Sequence, residues 1–143
     1  MECEFPTVNS NNEEIKDIFN ETKTIAIVGL SPDSQKASNR VAVYLQSAGF
    51  KIVPIYPKEE TILGEKVYRS LSEIPFQIDM IDIFRKPDAI AKVVDEALTI
   101  ANIKSVWFQL GLANNEAAQK AKDAGLKVVQ NKCTKIEHKA IFG

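Results

Sequence analysis

Short apolar runs alternate along the chain with longer amphipathic stretches. The runs TIAIVG (24–29), KIVPIY (51–56), IDMIDIF (78–84), SVWFQL (105–110) and KVVQ (127–130) are rich in β-branched and aromatic residues and mostly continuous in apolar character. That is the pattern of strands covered on both faces. Between them, apolar positions recur at helical spacing over about 39–48, 87–101 and 114–124. Gly49 follows YLQSA and Gly125 follows AKDA, where a helix ending in the left-handed conformation favours glycine. Each of these glycines is followed by a strand, so the chain reads β-α-β repeatedly. The segment TILGEKVYRSLSEIP adds a very short edge strand near Lys66–Tyr68 and one helical turn after Ser70, and a further helix over about 11–20 is expected on the outside.

Alternation of this kind predicts an α/β fold, a doubly wound parallel sheet in a single domain. The expected division is a helical extension over 1–22 and the sheet domain over 23–143. With Lys66–Tyr68 counted as the third strand, the natural strand order is 3-2-1-4-5-6. Ligands of such sheets bind where the strand order reverses, at the carboxyl ends of the first and fourth strands. That places Gly29–Ser31 and Phe84–Lys86 on opposite lips of one crevice.

Composition narrows what the crevice holds. The 143 residues, 45 % of them hydrophobic, suffice for one core. The 18 basic and 19 acidic side chains give a formal net charge of −1, so no global field attracts nucleic acid or an anionic membrane. An anionic ligand must be held by local cations. The first residues, MECEFPTVNSNNEEI, carry neither a basic nor an apolar leader pattern, and no apolar run approaches a membrane span; a cytoplasmic protein is expected. Two cysteines, Cys3 and Cys133, make no disulfide scaffold, and one histidine, His138, without a Cys-x-x-Cys pair argues against a metal site.

The stretch after the first strand carries the clearest chemistry. Gly29 lets the backbone turn tightly and approach a ligand, but the loop from Leu30 to Ala37 is longer than a dinucleotide turn and no G-x-G-x-x-G can be written on it. Ser38 is the expected N-cap of the helix NRVAVYLQSA, whose free amides favour a phosphate, with Lys36 and Arg40 bracketing that end. An NAD site would also want an acidic residue at the end of the second strand. Here Tyr56 stands at that position, followed by Pro57 and Lys58, which suits a phosphorylated ribose better than a plain diol; Glu59 and Glu60 come later, in the expected loop. Across the crevice Phe84 is placed to lie beside a base, and Arg85 and Lys86 to face phosphate. Gly29→Val is expected to weaken binding severely while leaving a folded domain.

Taken together in order and spacing, IAIVGLS, SNRVAVYL, IVPIYPK, DMIDIFR, VWFQLG and VVQNKCTKIEH resemble the small bacterial and archaeal CoA-binding proteins over about residues 23–138. These are similar to the Rossmann-type CoA-binding domain of the succinyl-CoA synthetase α subunit and of ADP-forming acyl-CoA synthetases. The resemblance implies that Gly29, Leu30, Ser31, Ser38 and Arg40 receive the phosphates of coenzyme A, and that Tyr56, Pro57, Lys58, Phe84 and Arg85 flank the nucleotide. The family often has asparagine where this chain has Tyr56. A non-catalytic module for CoA or acyl-CoA is the implied function. The alternatives are an orphan subunit acting with a partner protein of acyl-CoA metabolism, or an NAD(P)-binding sensor. No catalytic residue is assigned. Cys133 sits after the last strand, potentially on the ligand side, with Lys132, Lys135 and His138 near it in sequence; the phosphorylated histidine of the related synthetases lies in a separate domain, and His138 does not match it.

Overall fold

In the computed structural model, which describes residues 5–143, the segments Ile25–Val28, Met80–Ile83 and Ser105–Phe108 are buried without a break, as strands with helices on both faces must be. The elements run α1 (Asn12–Asn20), β1 (Thr24–Val28), α2 (Ala37–Ser47), β2 (Lys51–Ile55), β3 (Thr61–Ile62), β4 (Glu65–Lys66), β5 (Met80–Ile83), α3 (Ile90–Ala97), β6 (Ser105–Phe108), α4 (Asn115–Asp123), β7 (Lys127–Val129) and α5 (Thr134–Phe142). Single 3-10 turns occupy Leu71–Glu73, directly after Ser70, and Pro87–Ala89. Five strands form one parallel sheet in the order β2-β1-β5-β6-β7. The chain starts in the middle, moves outward to β2 and returns to β5, so the sheet is doubly wound.

Strand alternation divides the core between two faces. Ala26, Val28, Ile81, Ile83, Val106 and Phe108 pack towards Ile90 and Val94 of α3 and Ala118 and Ala121 of α4. Ile25, Ile27, Met80 and Trp107 face the other way, onto Ile15, Ile18 and Phe19 of α1 and Val41, Ala42 and Leu45 of α2. The outer helix α1 is therefore part of this second core layer. Its start is fixed by a reciprocal cap, in which Asn11 Oδ1 accepts from the Glu14 amide and the Glu14 carboxylate accepts from the Asn11 amide, each at 2.9 Å.

Three features differ from the sequence expectation. The third strand contracts to one residue: Lys66 pairs with Thr61 in an antiparallel hairpin, and Tyr68 alone bridges to Ile55 in parallel. Leu63 and Gly64, with φ of 53° and 78°, make the two-residue turn that diverts the chain, both central positions being left-handed as a type I′ hairpin requires. Tyr68 N–H donates to Pro54 O at 3.0 Å, so the side of β2 on which Pro54 lacks a donor is its outer edge, where proline is tolerated. Second, the helix after β1 begins at Ala37 with Lys36 in the cap position, so Ser38 is inside the first turn rather than capping it. Third, residues 134–142 form α5, held on α1 by ring contacts of His138 and Phe142 with Phe19 at 5.1 and 6.2 Å.

Candidate functional site

The carboxyl ends of β1 and β5 part around a two-lobed crevice. The larger lobe, about 520 Å³, lies between the loop after β1, the start of α2, the end of β6 and the start of α5; Ser31, Lys36, Ser38, Arg85, Gln109 and Cys133 line it together with Val41, Leu110, Leu112 and Ile136. The smaller lobe, about 390 Å³, is walled by Ile55, Tyr56, Pro57 and Arg69. Gly29, Phe84 and Arg85 belong to both lobes and mark where they meet. Each lobe falls within the range of about 300–1,000 Å³ usual for small-molecule sites.

The glycine loop is built from its own polar groups. Ser31 N–H donates to Ser38 Oγ at 3.0 Å, and Asn39 Nδ2 donates to Ser31 O at 2.9 Å, so the first turn of α2 grips the loop from both sides of one residue. Ser31 Oγ accepts from the Asp33 amide and Asp33 Oδ1 from the Gln35 amide. Lys36, at the cap, offers no acceptor and makes no side-chain cap bond. The first turn of α2 also carries no acidic residue. Its open amides and the positive end of the helix dipole thus reach the larger lobe beside the Lys36 ammonium, with Arg85 on the facing wall.

Gly29 has φ +90°, and a Cβ there would overlap the carbonyl oxygen of Phe84 and lie 3.2 Å from Arg85 Cδ. The two lips are in backbone contact at this residue. Its need for glycine is set by that packing as well as by any ligand, so a valine there strains the contact between the lips even without a ligand.

Beneath the larger lobe is a buried polar cluster. Gln109 Nε2 donates to Asp82 Oδ1 at 2.6 Å and to Thr134 Oγ1 at 2.9 Å, and Thr134 Oγ1 donates to Asp82 Oδ2 at 3.1 Å. Burial pushes the Asp82 carboxyl up to about 7, against the opposing pull of the Gln109 and Thr134 hydrogen bonds. Gln109 is the member of this cluster that reaches the cavity wall. His138 lies elsewhere: its Nδ1 meets the Tyr44 hydroxyl at 2.8 Å within an aromatic group of Phe19, Phe50 and Phe142, and burial lowers its pKa.

Of the residues expected from sequence, Gly29, Ser31, Lys36, Ser38, Tyr56, Pro57, Phe84 and Arg85 converge on the crevice. Leu30 is fully buried in the core and lines neither lobe. Arg40, Lys58 and Lys86 are exposed and line neither lobe. Arg69 was not foreseen, although a cation directly after the short edge strand stands at the same sheet end as the other strand termini. Ile136 could not be foreseen without α5.

Comparison with known proteins agrees with the fold. The family described as "CoA binding domain" matches residues 23–139. The chain is 37 % identical over 130 residues to the uncharacterized protein YneT of Bacillus subtilis, covering 91 % of this chain and 96 % of that one. A solved structure of a hypothetical protein from Pyrococcus horikoshii OT3 superposes with a TM-score of 0.90 at 38 % identity, over the full length of both chains. An ADP-forming acetate–CoA ligase of Archaeoglobus fulgidus is 27 % identical over 120 residues, which are 78 % of this chain but 18 % of the ligase. With the matched segment running from the start of β1 well into α5, the chain belongs to the CoA-binding domain family.

Proposed function

We propose that the protein binds coenzyme A, free or as a thioester, as a non-catalytic module. The observation that carries this reading is the open amino-terminal end of α2 beside Lys36, facing Arg85 where the two lobes meet. A diphosphate at that junction receives donors from the helix end and a charge from each wall. The smaller lobe, with the rings of Tyr56 and Phe84 and the flat face of Pro57, then takes the adenosine. The larger lobe, whose wall is mostly apolar beyond Ser38 and Gln109, takes the pantetheine arm.

Two features support the module reading over its rivals. Among the described residues neither lobe is lined by a carboxylate or a histidine, so no acid–base pair faces the ligand and no acidic side chain awaits the ribose diol of NAD. Glu59 and Glu60 instead line a separate groove by the β3–β4 hairpin. The similarity to a short part of a much larger ligase favours, as a second reading, a subunit that works with a catalytic partner; co-purification with a nucleotide-turning chain would support it.

Calorimetric titration with CoA, NAD, NADP and ATP tests the proposal. Micromolar affinity for CoA with the other three much weaker is expected. Tight NAD binding without CoA binding overturns it.

A further inference from the structure

We infer that Arg69 is the residue that recognises the phosphate monoester on the ligand's ribose, in the smaller lobe; the inference rests on the CoA reading above. Arg69 Nη1 donates to Tyr56 O at 3.0 Å and to Lys58 O at 2.9 Å. The guanidinium is thereby pinned across the turn that follows β2, and its other N–H groups have no partner among the described residues. A planar fork held in place before binding loses little freedom when it meets a phosphate.

Arg69 stands between two surfaces of opposite character: it borders the groove that carries Glu59, Glu60 and Glu73, and it lines the smaller lobe, whose wall has no carboxylate. Neither Arg69 nor Arg85 forms an ion pair; among the described residues the pairs are Lys104–Asp79, Lys120–Asp95 and Lys127–Glu21. Glu73, which shares the neighbouring groove with Arg69, has its Oε1 committed to the backbone, accepting from the amides of Arg69 and Ser70 at 2.9 Å each. The smaller lobe therefore has two arginines and no acidic side chain on its wall. The purine-sized faces of Tyr56 and Phe84 on the same wall place a ribose within the lobe rather than a bare inorganic anion.

Lys58, expected from sequence to hold this phosphate, contributes instead the carbonyl that fixes Arg69. Its side chain is exposed and lines neither lobe.

The test is a pair of titrations, CoA and dephospho-CoA, on the full chain and on Arg69→Gln, Arg69→Lys and Lys58→Ala. The parent is expected to prefer CoA by about ten-fold or more. In Arg69→Gln the affinity for CoA falls about ten- to hundred-fold while that for dephospho-CoA stays within about two-fold, which also shows that the variant is folded. Arg69→Lys, retaining the charge without the fork, falls between, and Lys58→Ala matches the parent on both ligands. Equal losses on the two ligands in Arg69→Gln, or no loss on CoA, overturn the assignment while leaving CoA binding intact. A parent that binds neither ligand overturns the CoA reading itself.

Discussion

Gln109 Nε2 donates to Asp82 Oδ1 at 2.6 Å beneath the larger lobe, and the carboxyl that receives it is fully buried and titrates near 7. The folded protein thus keeps a proton that the unfolded chain releases above the ordinary value of 3.8. Between about pH 4 and pH 7 the unfolded state binds fewer protons, so stability falls as pH rises and levels off once the folded carboxyl also ionises. The full span amounts to about 4 kcal/mol. Asp82→Asn retains an oxygen for Gln109 and, with the Thr134 hydroxyl turned to accept its N–H, the contact to Thr134, but carries no titratable group. Urea unfolding from pH 4 to 8 is expected to show a slope in the parent that this variant loses; an unchanged slope would place the titration elsewhere.

His138 acts in the opposite direction. Burial among aromatic rings lowers its pKa, so the unfolded imidazole binds a proton below about 6.5 that the folded one resists. With Asp82 silenced, stability should fall as pH drops below that value, and replacing His138 by Gln in the Asp82→Asn background should flatten the remaining dependence. The same urea series measures it.

Gly29 and Gly49 separate sterics from backbone strain. Both have positive φ, +90° and +101°, but an added Cβ meets Phe84 at the first and nothing within 4 Å at the second. Gly49→Ala is expected to cost the left-handed penalty alone, about 1–2 kcal/mol. Gly29→Ala adds displacement of the Phe84 backbone and should cost clearly more, with a larger drop in melting temperature. Equal drops would mean that the lips yield freely at their contact.

Much of the architecture was legible because each strand of the main sheet is a largely apolar run bounded by a loop or by a helix-capping glycine before it. The lips of the crevice followed from topology alone: residues after β1 and β5, neighbouring strands from which the chain leaves in opposite directions, must face each other, and Gly29 and Phe84 touch. What could not be read depends on tertiary contacts. TKIEHKAIF has only a weak amphipathic pattern, and α5 exists through the contacts of His138 and Phe142 with Phe19. The hairpin at Leu63–Gly64 took away most of the third strand. Ser38 has the residue type of a cap, but its hydroxyl accepts the amide of Ser31, seven residues earlier in the preceding loop.

Cation position on the wall predicts cation importance. Arg85 lines both lobes, while Arg40 and Lys122 are exposed and line neither. Arg85→Ala removes a charge-assisted bond worth about 1.5–3 kcal/mol, or roughly ten- to hundred-fold in affinity for CoA and dephospho-CoA alike. Arg40→Ala should cost much less than this, and Lys122→Ala nothing measurable. Calorimetry on the three variants decides the ranking, and an Arg40→Ala loss as large as that of Arg85→Ala would move the phosphate along α2.

Ser38→Ala probes whether the glycine loop is shaped before the ligand arrives. Its hydroxyl accepts the Ser31 amide at 3.0 Å and is itself buried, so removing it leaves that amide without its acceptor at a cost of about 1–3 kcal/mol. The Asn39 bond to Ser31 O remains, which holds the loop near its place and keeps the domain folded. What changes is freedom: the backbone between Gly29 and Ser31 can then leave the position from which it faces the open end of α2. A binding cost arises because that order must be restored by the ligand. The expected outcome is a small drop in melting temperature with several-fold weaker CoA binding, recovered in part by Ser38→Thr, which restores the hydroxyl. A variant that melts lower but binds CoA as the parent does would show that the clamp serves the fold alone and that the loop finds its shape without it.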